Sequence, residues 1–235
     1  MNKGKLYLVP TLLGDTSPRD VLPAGLGDIL SRISHFAVED LRTARRFLRK
    51  IDKDADIDSM HFFLLNEHSG PEEAEEILEV LRQGHDAGLL SEAGLPCVAD
   101  PGSGLVSMAH ARGIRVVPLS GPSSITLALM ASGFNGQNFA FRGYLPVDAK
   151  MRAAAIRNME QDAYREDQTQ IFIETPYRNM QVFNALIANC LPETRLCIAA
   201  NLSCENEMIK TRNIRQWKEN PPMLNKQPAV FLIYK

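Results

Sequence analysis

Two periods of apolar and polar positions alternate along this chain. Short β-branched and aromatic runs occur at 5–9, 33–38, 61–65 and 114–117, each closed by a proline, an asparagine or an acidic residue. Such runs read as strands. The segments between them carry helical spacing. Leu41, Ala44, Phe47 and Leu48 make one apolar face of a helix opened by Glu39 and Asp40, while Arg42, Arg45, Arg46, Arg49 and Lys50 crowd its other faces. A further helix is capped by Ser69 or Gly70, has Pro71 at its first position and glutamates in its opening turns, buries Ala74, Ile77, Leu78 and Leu81, and stops at Gly84. Repeated strand–helix units predict a mostly parallel sheet covered on both faces.

The densest stretch is 87–104. The apolar run Gly88–Leu90 stops at Ser91, small, turn-forming and acidic residues follow, and helical spacing resumes at Leu105. This is the pattern of a buried strand emptying into a loop that feeds a helix. Gly94, Gly102 and Gly104 permit close approach of backbone to a ligand, and Pro96 and Pro101 stiffen the loop. In open α/β sheets ligands bind outside the carboxyl ends of strands, where this loop falls. A tight structural turn explains the same residues without a ligand.

Past the strand at 114–117, the loop 119–125 leads into an apolar helix closed by Gly133. A domain boundary is placed here, giving units of 1–119 and 120–235. The second unit reads as a strand ending at Tyr144-Leu145-Pro146, a polar-faced helix over 150–165, and a strand over 170–174. A helix capped by Thr175 follows, then strands near 195–202, 206–214 and 228–234 in a mixed sheet. Trp217, the single tryptophan, reads as packing.

Composition narrows the function classes. At 235 residues and 45% apolar content the chain can bury an ordinary core as one or two units. No run reaches the roughly 18 apolar residues of a membrane span, and the start leads directly into a strand, leaving no room for a signal peptide. The four cysteines lack metal-like spacing and read as reduced thiols of a cytoplasmic protein. A net charge of −2 gives no overall field for nucleic acid, so any RNA contact rests on a local patch such as the basic helix. A Rossmann dehydrogenase is disfavoured because Gly102-x-Gly104 lacks the third glycine, and a phosphate-binding ATPase because no Gly-Lys-Ser or Gly-Lys-Thr occurs.

Ser91-Glu92-Ala93-Gly94-Leu95-Pro96 followed by Ala99-Asp100-Pro101-Gly102 resembles the signature loop of the tetrapyrrole methylase superfamily, the class III S-adenosylmethionine-dependent methyltransferases. The likeness is closest to the branch that methylates a ribose 2′-hydroxyl in small-subunit ribosomal RNA. That branch usually has Asp at Glu92 and Thr at Leu95. Further blocks resemble it over nearly the whole chain: Pro10–Asp15, Glu39-Asp40-Leu41-Arg42, Asn66–Ser69, Leu119–Ile125, Phe139–Pro146 and Glu174–Arg178. The resemblance implies a two-lobed α/β fold, an N-terminal mostly parallel sheet and a C-terminal mixed lobe with the cofactor cleft between them. It implies S-adenosylmethionine as cofactor, no metal, an RNA partner and a homodimer.

By resemblance, the cofactor contacts are Pro10, Gly14, Ser91, Glu92, Ala93, Gly94, Pro96, Asp100, Gly102, Gly121, Pro122, Ser123, Ser124, Leu145 and Glu174. Arg42, Arg45, Arg46 and Arg178 are substrate contacts. Glu39, Asp40, His68 and Glu174 are the candidates for a base, with no choice among them. Each has a plainer reading: a helix cap for Asp40 and Ser123, a wet surface for the basic helix, a backbone-bonded loop residue for His68, an ion pair for Glu174 and Arg178. Where the ribosomal branch carries an Arg–Glu pair, this chain has Ala200 and Asn201. That departure keeps methylation of a tetrapyrrole or another small metabolite as the alternative.

Overall fold

The computed structural model describes residues 3–66 and 69–235 and divides into two compact units, Met1–Ser123 and Ser124–Lys235. In the first unit five strands, β1 (Lys5–Val9), β2 (His35–Val38), β3 (His61–Leu64), β4 (Ala87–Leu90) and β5 (Arg115–Pro118), form one sheet in the order β3-β2-β4-β1-β5. Every pairing is parallel. Side chains alternate across it with period two. Phe36, Val38 and Leu90 face a core shared with α3 (Leu41–Ile51) and the short helices α1 (Pro18–Val21) and α2 (Leu26–Leu30). Ala37 and Leu89 face the core beneath α4 (Pro71–Arg82) and α5 (Ser103–Ala111). The stripe Ala74, Ile77, Leu78 and Leu81 is buried as the sequence predicts. The two short helices occupy a stretch whose pattern of prolines and scattered leucines predicts neither.

Strand register fixes where the loops emerge. Val9 and Val38 both pair with Leu90, so β1, β2 and β4 end at one level. The chain segments beginning at Pro10, Glu39 and Ser91 therefore leave side by side at the carboxyl edge of the sheet.

In the second unit β6 (Phe139–Tyr144), β7 (Thr169–Glu174), β8 (Arg195–Ala200), β9 (Met208–Asn213) and β10 (Ala229–Tyr234) form a sheet ordered β6-β7-β10-β8-β9. Only β6 and β7 are parallel, so the sheet is mixed. The C-terminal strand is inserted between β7 and β8, and all six of its residues are buried. One face packs on α7 (Ala149–Arg165), α8 (Asn179–Asn189) and α9 (Ile214–Glu219), while α6 (Ser124–Ser132) lies against β8, β9 and β10. Trp217 is buried in this core edge-on to Phe183, and its indole N–H donates to the Leu196 carbonyl at 2.8 Å. Thr175 does not cap α8: residues 175–178 form a turn closed by Arg178 N–H to the Thr175 carbonyl, and the helix starts at Asn179. Among the described residues no helix is long and apolar enough to cross a membrane.

Candidate functional site

Three loops pack against one another above the parallel sheet. Thr11 donates its backbone N–H to the Gly94 carbonyl at 2.8 Å, which ties the turn after β1 to the turn after β4. Gly94 has φ +82°, a left-handed conformation, and a Cβ there would come within 3.1 Å of Leu13. The φ angle calls for glycine, and the nearby Leu13 side chain would have to shift slightly for any larger residue. The loop after β5 closes on the same place, since a Cβ on Gly121 would lie 2.1 Å from the Pro10 Cβ. Pro10, Gly94, Gly121 and Pro122 are thus mutual neighbours, and the sequence-predicted cofactor loops are assembled by direct backbone approach.

Beside this junction opens a cavity of about 530 Å³, a size that suits a nucleoside-sized ligand. Its walls are the β1 loop from Thr11 to Asp15, the start of the β4 loop at Ser91, Glu92 and Ala93, and one face of α3. That face is Thr43, Arg46, Phe47 and Lys50, the i, i+3, i+4, i+7 positions of a helix. Phe47 is buried and Ala44 beside it anchors α3 to the sheet, so the polar neighbours of the apolar stripe are aimed at the cavity. Arg45, one residue around the helix, instead lies over the Phe62 ring at 5.4 Å. Arg42 is exposed and outside the lining.

Asp40 is the cap of α3, accepting the Thr43 N–H at 2.7 Å. That bond holds its carboxyl below the usual carboxylate range, which makes it a poor proton acceptor at neutral pH. Glu39 follows β2 directly and is partly buried. His68 lies outside the described residues. Ser91 is buried, and among the described residues its hydroxyl has no partner at hydrogen-bonding distance. It nevertheless lies near enough to the Asp100 carboxyl to favour that group's charged form. Burial outweighs this and, with Glu92 nearby, raises the proton affinity of Asp100. Burial and then Asp100 likewise push the Cys97 thiol up, which favours its protonated form.

The signature loop serves two cavities. Its start lines the larger one, whereas Pro101, Gly102 and Gly104 line a second of about 260 Å³ with Asn66, Ser69 and Met108. Cys97 and Ala99 are held at positive φ between them, as is Gly102 at the cap of α5. Pro96 is buried in the loop. Ser123 is buried and Ser124 opens α6.

In the second unit, Glu174, Arg178 and Leu145 meet at the carboxyl ends of β6 and β7. The Glu174 side chain is wholly buried and forms an ion pair with Arg178 at 3.1 Å. Its other oxygen accepts the Thr175 N–H at 2.8 Å. Arg178 also donates weakly to the carbonyls of Leu145 and Pro146, at 3.4 and 3.3 Å. Asn201, where the ribosomal branch has a charged residue, sits at φ 51° and donates to Gln227. The sequence places Lys50 only on the general basic face of α3 and Asp15 only in the turn after β1; their pairing on the cavity wall is seen in the structure alone. The spacing of Lys50 four residues after Arg46 was the available signal for one, and the place of Asp15 at the end of the Pro10–Asp15 block for the other.

Residues 5–217 match the family described as Tetrapyrrole (Corrin/Porphyrin) Methylases. The ribosomal RNA small subunit methyltransferase I of Haemophilus influenzae is 31% identical, over 98% of this chain and 78% of its own length. The protein of the same name from Escherichia coli O157:H7 is 33% identical, over 89% of this chain and 67% of its own. Among solved structures, the methyltransferase CobJ shares the fold with TM-score 0.66 at 16% identity, covering 99% of this chain and 94% of that one. The uroporphyrin-III C-methyl transferase from Thermus thermophilus complexed with S-adenyl homocysteine does so with TM-score 0.58 at 17% identity, covering 99% and 98%. From the profile match and these relatives together, the chain belongs to the tetrapyrrole (corrin/porphyrin) methylase family, within the group of ribosomal RNA small subunit methyltransferases I.

Proposed function

We propose that this protein is an S-adenosylmethionine-dependent methyltransferase that methylates a ribose 2′-hydroxyl in small-subunit ribosomal RNA, acting in the cytoplasm as a homodimer. The observation that carries the reading is the 530 Å³ cavity, which joins the loops at Thr11–Asp15 and Ser91–Ala93 to the cationic face of α3. The names of the relatives supply the substrate class. S-adenosylmethionine supplies a methyl group made electrophilic by its sulfonium. Thr11, Gly14, Ser91 and Ala93 would hold it, since their loops offer backbone groups, a buried hydroxyl and small side chains in a pocket of suitable size. The Glu92 carboxylate on the same wall suits a cationic ligand. Arg46 and Lys50 suit the polyanionic partner. The protein's contribution is chiefly positioning, because a displacement of this kind gains most from holding donor and acceptor in line and dry.

Tritiated S-adenosylmethionine incubated with the protein and under-methylated small ribosomal subunits should label the RNA, and nuclease digestion should release a 2′-O-methyl nucleoside. Label on a reduced tetrapyrrole and none on RNA would replace this reading with small-metabolite methylation. Donor binding with no acceptor in either arm would leave a binding protein.

A further inference from the structure

Lys50 and Asp15 face each other across the large cavity, one from α3 and the other from the loop after β1, with Lys50 Nζ 2.9 Å from the Asp15 carboxylate. The two ends of this pair differ in kind. Lys50 stands on a helix anchored by buried Ala44, Phe47 and Leu48, and its side chain is about two-thirds covered. The Asp15 side chain is fully exposed, with its carboxylate bonded to Lys50 and otherwise facing water. Lys50 is also what holds the Asp15 carboxyl below the usual carboxylate range.

The cavity wall carries two cations, Arg46 and Lys50, four residues apart on one helix face, and two carboxylates, Asp15 and Glu92. With Asp15 on Lys50 the wall is electrically balanced and offers little attraction to an anion. If Asp15 swings out into water it loses almost no burial, and an ammonium group on a fixed helix is left pointing into a cavity that also holds a guanidinium. A phosphodiester fits that pair of donors: it is ionised at every physiological pH, and Arg and Lys are the usual phosphate partners in protein–nucleic acid contacts.

We propose that Asp15 is a stand-in anion, which holds Lys50 extended at the cavity in the free protein and yields it to a backbone phosphate of the RNA strand when substrate enters. Lys50 is then a substrate-positioning residue, and Asp15 sets how strongly any RNA must bind to claim it. The inference rests on the RNA reading above and extends it to a pairing of two residues that lie 35 positions apart in the chain.

The test is binding of a fluorescein-labelled single-stranded RNA across a salt series, with thermal melts confirming that each variant is folded. Asp15→Asn removes the competitor and should tighten RNA binding about three- to tenfold at low salt. Lys50→Gln should weaken it by a similar factor. It should also make the dependence of log Kd on log salt shallower by about 0.7, the value for one lost phosphate contact on a single strand. In the Lys50→Gln background Asp15→Asn should gain nothing, because the aspartate acts only through the lysine. In turnover, Lys50→Gln should raise KM for RNA and leave kcat near the wild-type value, as loss of uniform binding does. The proposal is overturned if Asp15→Asn binds RNA no tighter than wild type, if its gain survives loss of Lys50, or if Lys50→Gln keeps the wild-type salt slope. A wild-type protein that binds the methyl donor and no RNA at any salt would sink the RNA reading itself, and this proposal with it.

Discussion

Arg178→Met tests what the Glu174–Arg178 pair is for. Glu174 ends β7 with its side chain wholly buried; Arg178 closes the turn that follows and is 23% exposed. Removing the guanidinium leaves a carboxylate with a single remaining donor, the Thr175 N–H at 2.8 Å. Breaking a buried pair by deleting one partner costs about 3–5 kcal/mol. Partial exposure of Arg178 lets water reach the orphaned oxygen, so the loss should fall at the low end, about 3 kcal/mol. Methionine keeps most of the aliphatic packing, and the Arg178 bonds to Leu145 and Pro146 are long and contribute little. Such a loss corresponds to a fall in Tm of roughly 10 °C for a unit of this size. Glu174→Gln combined with Arg178→Met leaves a neutral amide that still accepts from Thr175, and should restore all but about 1 kcal/mol. Urea titration of the two single variants and the double variant measures the coupling. A loss below about 1 kcal/mol in Arg178→Met, or a double variant as unstable as the sum of the singles, would refute the assignment of a buried structural pair. Glu174 and Arg178 would then be available as ligand contacts.

Two further outcomes are expected. In Gly121→Ala the new methyl would stand 2.1 Å from Cβ and 2.6 Å from Cγ of Pro10, whose ring cannot rotate away. The loops must part by more than an ångström at an overpacking cost of about 1–3 kcal/mol. Equilibrium dialysis should show at least about a tenfold loss of donor affinity, and unchanged affinity would separate this junction from the donor site. The second concerns acid. His35 stacks on His61 at 5.0 Å and neighbours His85 at 5.5 Å, and burial first, then these two imidazoles, lower its pKa below 6.5. The unfolded chain therefore takes up this proton before the folded one as pH falls. The neutral ring's contribution is complete above about pH 6.5 and is lost progressively below it, toward the folded pKa. Urea midpoints at about pH 7.5 and pH 5.5 should fall less in His35→Gln than in wild type; equal falls would place the acid sensitivity elsewhere.

What the order of residues determined by itself was everything governed by neighbours along the chain. Asp40 as the cap of α3, the buried stripe of α4 and the turn-rich loop after Leu90 follow from side-chain chemistry and period. The family blocks were legible for the same reason, being contiguous. The tertiary structure alone decided what lies across the chain. It brought Asp15 to Lys50 and Gly121 onto Pro10, and it threaded the last strand between β7 and β8. It also chose Arg46 over Arg45 for the cavity, although both flank the same apolar stripe. Local propensity cannot specify these, because strand order and loop contact depend on which distant surfaces bury one another, and that preference is spread over both partners rather than written in either.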